Sequence, residues 1–216
     1  MSDRLLQIDE AELDRVRELT SIGAGHAAGA FARVVGRPCR MRVPTVRLLR
    51  AESLGSAFVA SGRDDERRAM SGVFFEVEGG LGGVIALLLP EGSREHVVRA
   101  LLRPSGAIAP EDEESALREL GNMLVSHAVS AMADTLGTRV LPSIPVLAMH
   151  DAVSALASLV ALRCAGGPAL RVETEISDAE GIYRGLLVYV PDLACLRTGP
   201  PGARPSRERR GAAVGA

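Results

Sequence analysis

Apolar residues recur at helical spacing in two separated stretches of the chain. The first stretch runs from Val16 to Val34 and the second from Leu117 to Met132, with apolar or small residues three and four positions apart. Each stretch stops at a glycine, the residue that most readily adopts the left-handed conformation at a helix C-terminus. The pattern therefore predicts one long helix in each half of the chain, ending at Gly36 and at Gly137.

The segments that follow each long helix have a period typical of strands and short helices. They comprise extended segments (40–49 and 139–149), short helices (51–60 and 151–162) and pairs of strands (72–77 with 81–89, and 170–176 with 182–190). Gly79-Gly80 and Glu180-Gly181 lie where hairpin turns are expected, so the paired strands should run antiparallel. We predict an α+β fold in which two long helices pack on an antiparallel sheet.

The two halves are related by one constant offset. An offset of 101 positions aligns Arg17-Glu18-Leu19 with Arg118-Glu119-Leu120 and keeps register to the pair Pro90 and Pro191. An ungapped match of this length predicts a duplicated unit, here residues 8–103 and 110–192, arranged about a pseudo-twofold axis as one domain. The end of the chain, residues 198–216, is rich in Pro, Gly, Ala and Arg and is predicted to be disordered.

Composition excludes several classes of function. The formal net charge of −2 on 216 residues leaves no basic footprint for nucleic acid. No run of apolar residues is long enough to span a membrane, and the N-terminal segment lacks the apolar core of a signal peptide. The cysteines, Cys39, Cys164 and Cys195, are too far apart to indicate a disulfide framework or a zinc site. We therefore predict a cytoplasmic protein with neither a nucleic-acid nor a membrane partner and with no metal site of its own.

One polar set lies within each predicted long helix. In the second half its members are spaced i, i+4, i+7, which places them on one helix face: Ser115, Glu119 and Asn122. Their counterparts in the first half are Asp14, Glu18 and Ser21. Asparagine is a poor residue inside a helix because its amide competes for backbone hydrogen bonds. An ordinary row of solvent-exposed polar residues on a helix would give the same spacing. A functional assignment therefore needs a wider sequence pattern.

That wider pattern, Asp/Ser-x3-Glu-x2-Asn-x22-Pro, resembles the phosphatase signature of the CheC, CheX and FliY family. The second half matches it throughout, at Ser115, Glu119, Asn122 and Pro145. The first half matches at Asp14, Glu18 and Pro44 but has Ser21 in place of the asparagine. Two copies in one chain resemble CheC more than CheX.

The resemblance implies a phosphatase that hydrolyses the aspartyl phosphate of a CheY-type response regulator in chemotaxis or other two-component signalling. It assigns Asn122 to positioning the attacking water and Glu119 to docking the partner through a lysine. Magnesium would come with the regulator's own carboxylates, so no cofactor of the protein itself is expected. A serine hydroxyl reaches less far than an amide. The Ser21 site should therefore be degenerate, although Glu18 still helps binding.

Two alternatives remain open. The first is a non-catalytic CheC-like binding module that serves the CheD deamidase or a flagellar-switch protein. In the family, an aspartate near the start of the short helix after the second proline contributes to CheD binding, and Asp151 aligns with it. The second is an unrelated repeat domain that binds a small ligand, which would have a deep apolar pocket instead of an exposed polar helix face.

Overall fold

The structure is a computed structural model, and it describes residues 8–59 and 70–198. Its helices are α1 (Glu10–Val35), α2 (Leu54–Val59), α3 (Glu91–Leu102), α4 (Pro110–Leu136), α5 (Ala152–Arg163) and α6 (Leu193–Thr198). Its strands are β1 (Cys39–Met41), β2 (Thr45–Arg50), β3 (Met70–Gly79), β4 (Gly83–Pro90), β5 (Val140–Pro142), β6 (Val146–Ala148), β7 (Pro168–Asp178) and β8 (Arg184–Pro191). The tail predicted to be disordered lies, apart from its first residue, outside the described residues.

All eight strands form one antiparallel sheet. Its order is β1-β7-β8-β4-β3-β5, with β2 continuing along β7 beside β1 and β6 continuing along β3 beside β5. The hairpins β3–β4 and β7–β8 are those predicted from the sequence, and β4 and β8 pair at the centre. The predicted α+β fold with an antiparallel sheet is therefore confirmed.

The extended segments after the long helices differ from the prediction, because each is broken into two short strands. The break in the first half contains Pro44 and the break in the second contains Pro145. Proline has no N–H to donate to a ladder, so within a sheet it is found mainly on edge strands and at breaks in them. The residues just before these prolines, Val43 and Ile144, are 76% and 86% exposed.

The sheet is covered by helices on both faces. The two long helices and α3 pack on one face and form the larger core, whereas α2 and α5 pack on the other. A strand that is covered on both faces must be apolar at every position, and β4 is an example. Its residues Ile85 and Leu87 face the long helices, whereas Ala86 and Leu88 face α2 and α5. All eight residues of β4 are buried, as expected for a strand covered on both sides.

Local signals fix the ends and the spacing of the long helices. Asp9 and Glu12 form a capping box at the start of α1. Gly36 and Gly137 end α1 and α4 with φ of 68° and 59°, as the sequence predicted. The two helices pack against each other closely at Gly23, where an added Cβ would lie 2.5 Å from the Met132 sulfur.

The order of elements is the same in both halves of the chain. Each half has a long helix, two short strands, a short helix, two long strands and a final helix. Each half also supplies edge strands to the strands of the other half. The first-half strands β1 and β2 pair with β7, and the second-half strands β5 and β6 pair with β3. The duplication, the pseudo-twofold axis and the boundaries 8–103 and 110–192 stay predictions, with which this order is consistent.

Candidate functional site

The polar set of the second half lies on the exposed face of α4. Ser115, Glu119 and Asn122 are all exposed, and positions i, i+4 and i+7 fall within about 60° of arc on a helix. Glu119 and Asn122 are about 4.5 Å apart along the helix axis. A carboxylate and an amide therefore face solvent side by side and can contact the same bound group.

The backbone beneath these side chains is held firmly. Leu120, Gly121 and Leu124 are buried in the core between α4, α1 and the sheet. The Asn122 amide, in contrast, makes no hydrogen bond to any residue within 8–59 or 70–198. Its donor and acceptor are both available to a bound water or partner.

The first-half counterparts are engaged with their own helix. The Asp14 carboxylate forms an ion pair with Arg17, one turn away. The Ser21 hydroxyl donates a hydrogen bond to the Arg17 carbonyl oxygen at 2.8 Å, and Thr20 bonds the Val16 carbonyl oxygen in the same way at 2.7 Å. Glu18 is exposed. The first half thus presents a carboxylate but no outward amide.

The signature proline of the second half is attached to the strand on which α4 lies. Ser143, two residues before Pro145, exchanges hydrogen bonds with the Glu76 backbone, since its N–H donates to the Glu76 oxygen at 2.8 Å and its hydroxyl accepts from the Glu76 N–H at 3.0 Å. Just after the proline, Leu147 pairs with Val73 in β3. Pro145 is half-buried, and its counterpart Pro44 is buried. Both prolines mark a bend in an edge strand.

Asp151 lies on the opposite side of the sheet, at the start of α5. It is exposed, has a left-handed backbone with φ of 54°, and accepts a hydrogen bond from the Ser154 hydroxyl at 2.8 Å. The helix behind it packs Leu156 and Val160 against the sheet. The apolar residues of α5 are thus partly explained by packing, while Asp151 itself stays accessible.

Metal binding and cysteine chemistry have no support among the described residues. Within the described ranges, no three His, Cys, Asp or Glu side chains are grouped as metal ligands would be. Burial, with a smaller effect of Asp178, raises the pKa of the Cys39 thiol, and burial likewise raises the pKa of Cys164. Both sulfurs are therefore poor nucleophiles at neutral pH. None of the helices in the described part of the chain is long and apolar enough to cross a membrane.

An open groove of about 650 Å³ continues the exposed face of α4 beyond Asn122. Ser126 and Ser130 line its helix wall, and Glu78, Arg139 and Leu141 line the other side. Sequence reasoning did not single these serines out, although their i+4 steps from Asn122 place them on the same face. The groove is open and partly polar, unlike the deep apolar pocket that an unrelated ligand-binding domain would need.

The sequence is similar to those of known proteins, both over most of the chain and in the region that contains the second-half polar set. A model described as the CheC-like family matches residues 113–149, which include the second-half set and its proline. The "CheY-P phosphatase CheC" of Bacillus subtilis (strain 168) is 34% identical over 178 residues, which are 79% of this chain and 82% of that protein. The chain therefore belongs to the CheC-like family.

Solved structures share the fold at lower identity. Thermotoga maritima FliY superposes with a TM-score of 0.67 at 20% identity, covering 89% of this chain and 95% of that chain. A chain of the FliM-SpeE complex from H. pylori superposes with a TM-score of 0.62 at 12% identity, covering 88% and 95%. At such identities the similarity establishes the fold alone.

Proposed function

We propose that the protein hydrolyses the aspartyl phosphate of a CheY-type response regulator, using Asn122 to orient the attacking water and Glu119 to dock the regulator. The observation that carries the proposal is the Asn122 amide, which is exposed, makes no hydrogen bond to the described residues and lies one turn from an exposed carboxylate. The similarity to Bacillus subtilis CheC, whose name states this activity, supports it.

The hydrolysis of an aspartyl phosphate needs few catalytic groups, which agrees with the small number of polar side chains at this site. An aspartyl phosphate is an activated mixed anhydride, so its hydrolysis needs mainly a water held in line and compensation of phosphoryl charge. An amide can accept a hydrogen bond from the water through its oxygen and donate one to a neighbouring acceptor through its NH2 group. It does not titrate, so it can do so at any physiological pH. Magnesium on the regulator's carboxylates would compensate the charge, which leaves α4 to supply orientation.

The water oxygen attacks phosphorus, and the bond from phosphorus to the aspartyl oxygen breaks. The regulator's carboxylate leaves with the electron pair, and both water protons end on the released inorganic phosphate. Asn122 fixes the direction of attack and takes no proton. Glu119 pairs with a lysine of the regulator and aligns the phosphoryl group over Asn122.

The proposal is tested by following loss of phosphate from the organism's own phosphorylated CheY-type regulator, with and without the purified protein. A catalytic amount of protein should accelerate the loss with multiple turnovers. Binding without acceleration would contradict the proposal and favour the second candidate, a non-catalytic binding module. A similar fold in a chain of the FliM-SpeE complex supports that candidate, but a scaffold has no need of an exposed amide beside Glu119.

We propose that the first-half site is degenerate, because the Ser21 hydroxyl is bonded to its own helix. Ser21→Ala should leave phosphate release unchanged. Ser21→Asn in the Asn122→Ala background should restore measurable activity, about tenfold above that background, because it recreates an outward amide beside Glu18. A time course of phosphate release compares these variants directly. If Ser21→Ala loses as much activity as Asn122→Ala, the serine is itself catalytic.

We propose a second contact, between Asp151 and a CheD-type deamidase. Asp151→Asn removes the charge and keeps a residue that tolerates the left-handed backbone, so the fold should be unaffected. The affinity for the deamidase should fall about tenfold, which calorimetry measures. Asp112→Asn, an exposed change on α4, is the matched control and should bind normally. Equal binding by the two variants would remove Asp151 from the interface.

A further inference from the structure

The residue that precedes Asn122 is in unusually close contact with the sheet. Gly121 is buried on the inner face of α4. A Cβ at this position would lie 2.6 Å from Cγ1, 2.7 Å from Cβ and 3.1 Å from Cγ2 of Val73. Real Cβ atoms essentially never approach another atom within 3.0 Å, so only glycine permits α4 to lie this close to β3.

Val73 has little freedom to make room. It is 1% exposed, and it pairs with Leu87 of β4 on one side and with Leu147 of β6 on the other. A β-branched side chain in a strand is also stiff at χ1. A methyl group added at Gly121 would therefore displace the helix and not the sheet.

Such a displacement acts directly on the proposed site. Asn122 is the next residue along α4, and its short side chain must hold a water in line with a bond, a geometry in which a shift of about 1 Å can cost on the order of 100-fold in rate. Glu119 has a longer, more flexible side chain that interacts through charge. The position of the helix should therefore matter far more for the amide than for the carboxylate.

The first half has no glycine at the corresponding position. At the position that corresponds to Gly121 under the constant offset stands Thr20, whose buried side chain is 2% exposed. That side chain occupies space between α1 and its surroundings and bonds back to the Val16 carbonyl oxygen. The two halves thus differ at two consecutive positions, Thr20-Ser21 against Gly121-Asn122.

We infer that Gly121 is a positioning residue, which seats α4 on Val73 and so sets the height of the Asn122 amide above the sheet. The inference rests on the proposed function and adds to it the residue that determines the geometry of the site. It assigns no contact with substrate to Gly121 itself.

The test is Gly121→Ala, assayed for kcat and KM with the phosphorylated regulator. Alanine is the better helix former by about 1 kcal/mol, so a loss of activity cannot arise from helix propensity. We expect kcat to fall about tenfold or more and KM to change less than about twofold, because the amide moves while Glu119 still docks the regulator. Assays are run well below the melting temperature of every variant, which circular dichroism establishes.

Two further variants separate positioning from general destabilisation. Val73→Ala removes Cγ1, the atom that the new methyl group would approach most closely, together with Cγ2, but leaves the Val73 Cβ at 2.7 Å. The double variant Gly121→Ala/Val73→Ala should therefore recover part of the lost kcat and not all of it. Val160→Ala opens a comparable cavity in the core on the other face of the sheet and should leave kcat and KM unchanged.

The outcomes distinguish this inference from the proposed function. An active wild type that loses activity with Asn122→Ala but keeps full kcat with Gly121→Ala overturns the inference alone. The same holds if kcat falls but Val73→Ala restores none of it, or if Val160→Ala lowers kcat equally. A wild-type protein that releases no phosphate overturns the proposed function and this inference with it.

Discussion

Replacing Asn122 by alanine should lower stimulated phosphate release about 100-fold, the usual loss when one positioned polar group is removed from a reaction site. The reason is geometric, because the Asn122 amide donates through its NH2 and accepts through its oxygen, and it lies on the exposed face of α4 beside Glu119. The loss should appear in kcat. A time course of phosphate release at saturating phosphorylated regulator measures it.

The control for this variant is Ser126→Ala, one turn further along the same exposed face. It removes a polar side chain without touching the proposed water site, so phosphate release should stay near the wild-type rate. Binding of the regulator by Asn122→Ala should also stay near wild type, since Glu119 is unchanged. Full activity in Asn122→Ala would show that the water is oriented by another group and that the assignment of the site is wrong.

Replacing Glu119 by alanine should weaken the encounter with the regulator and leave the chemical step largely intact. Truncating one member of a charge pair at an interface costs about 2 kcal/mol or more, which is about 30-fold in affinity. We therefore expect KM to rise about 30-fold while kcat at saturation changes little. Calorimetry with beryllofluoride-loaded regulator, a stable mimic of the phosphorylated form, measures the binding loss separately.

Glu111→Ala is the matched control, because Glu111 is an exposed carboxylate in the first turn of the same helix and remote from Asn122. It should bind the regulator with nearly wild-type affinity. If Glu119→Ala instead lowers kcat and leaves affinity unchanged, the carboxylate takes part in the reaction and not in docking. Equal losses from both variants would indicate a general effect of charge on this helix.

Features that depend on neighbouring residues could be predicted from the sequence. Gly36 and Gly137 gave the ends of both long helices because a left-handed terminus needs glycine. The exposure of Glu119 and Asn122 followed from their spacing against the buried Leu117 and Leu120. The hairpins followed from the turn residues between apolar runs.

Features that depend on distant residues could not be predicted. The pairing of β1 and β2 with β7 is a choice among antiparallel partners that no local period encodes. The contact of Gly121 with Val73 joins two elements that are far apart in sequence, so a glycine inside a helix gave no sign of it. The hydrogen bond of Ser21 to its own helix is one of several that a serine can make.

The exchange of edge strands constrains how the chain can be made. Cys39 in β1 pairs with Asp178 in β7, so the first edge of the sheet must wait until nearly all the described residues have left the ribosome. Pairings of such long range raise the contact order and slow folding. A chain that stopped after residue 103 would present β3 without β5 and β6 and would leave β1 and β2 without any partner. Each half therefore depends on the other for the edge strands that complete its sheet, and for the strand on which its long helix lies.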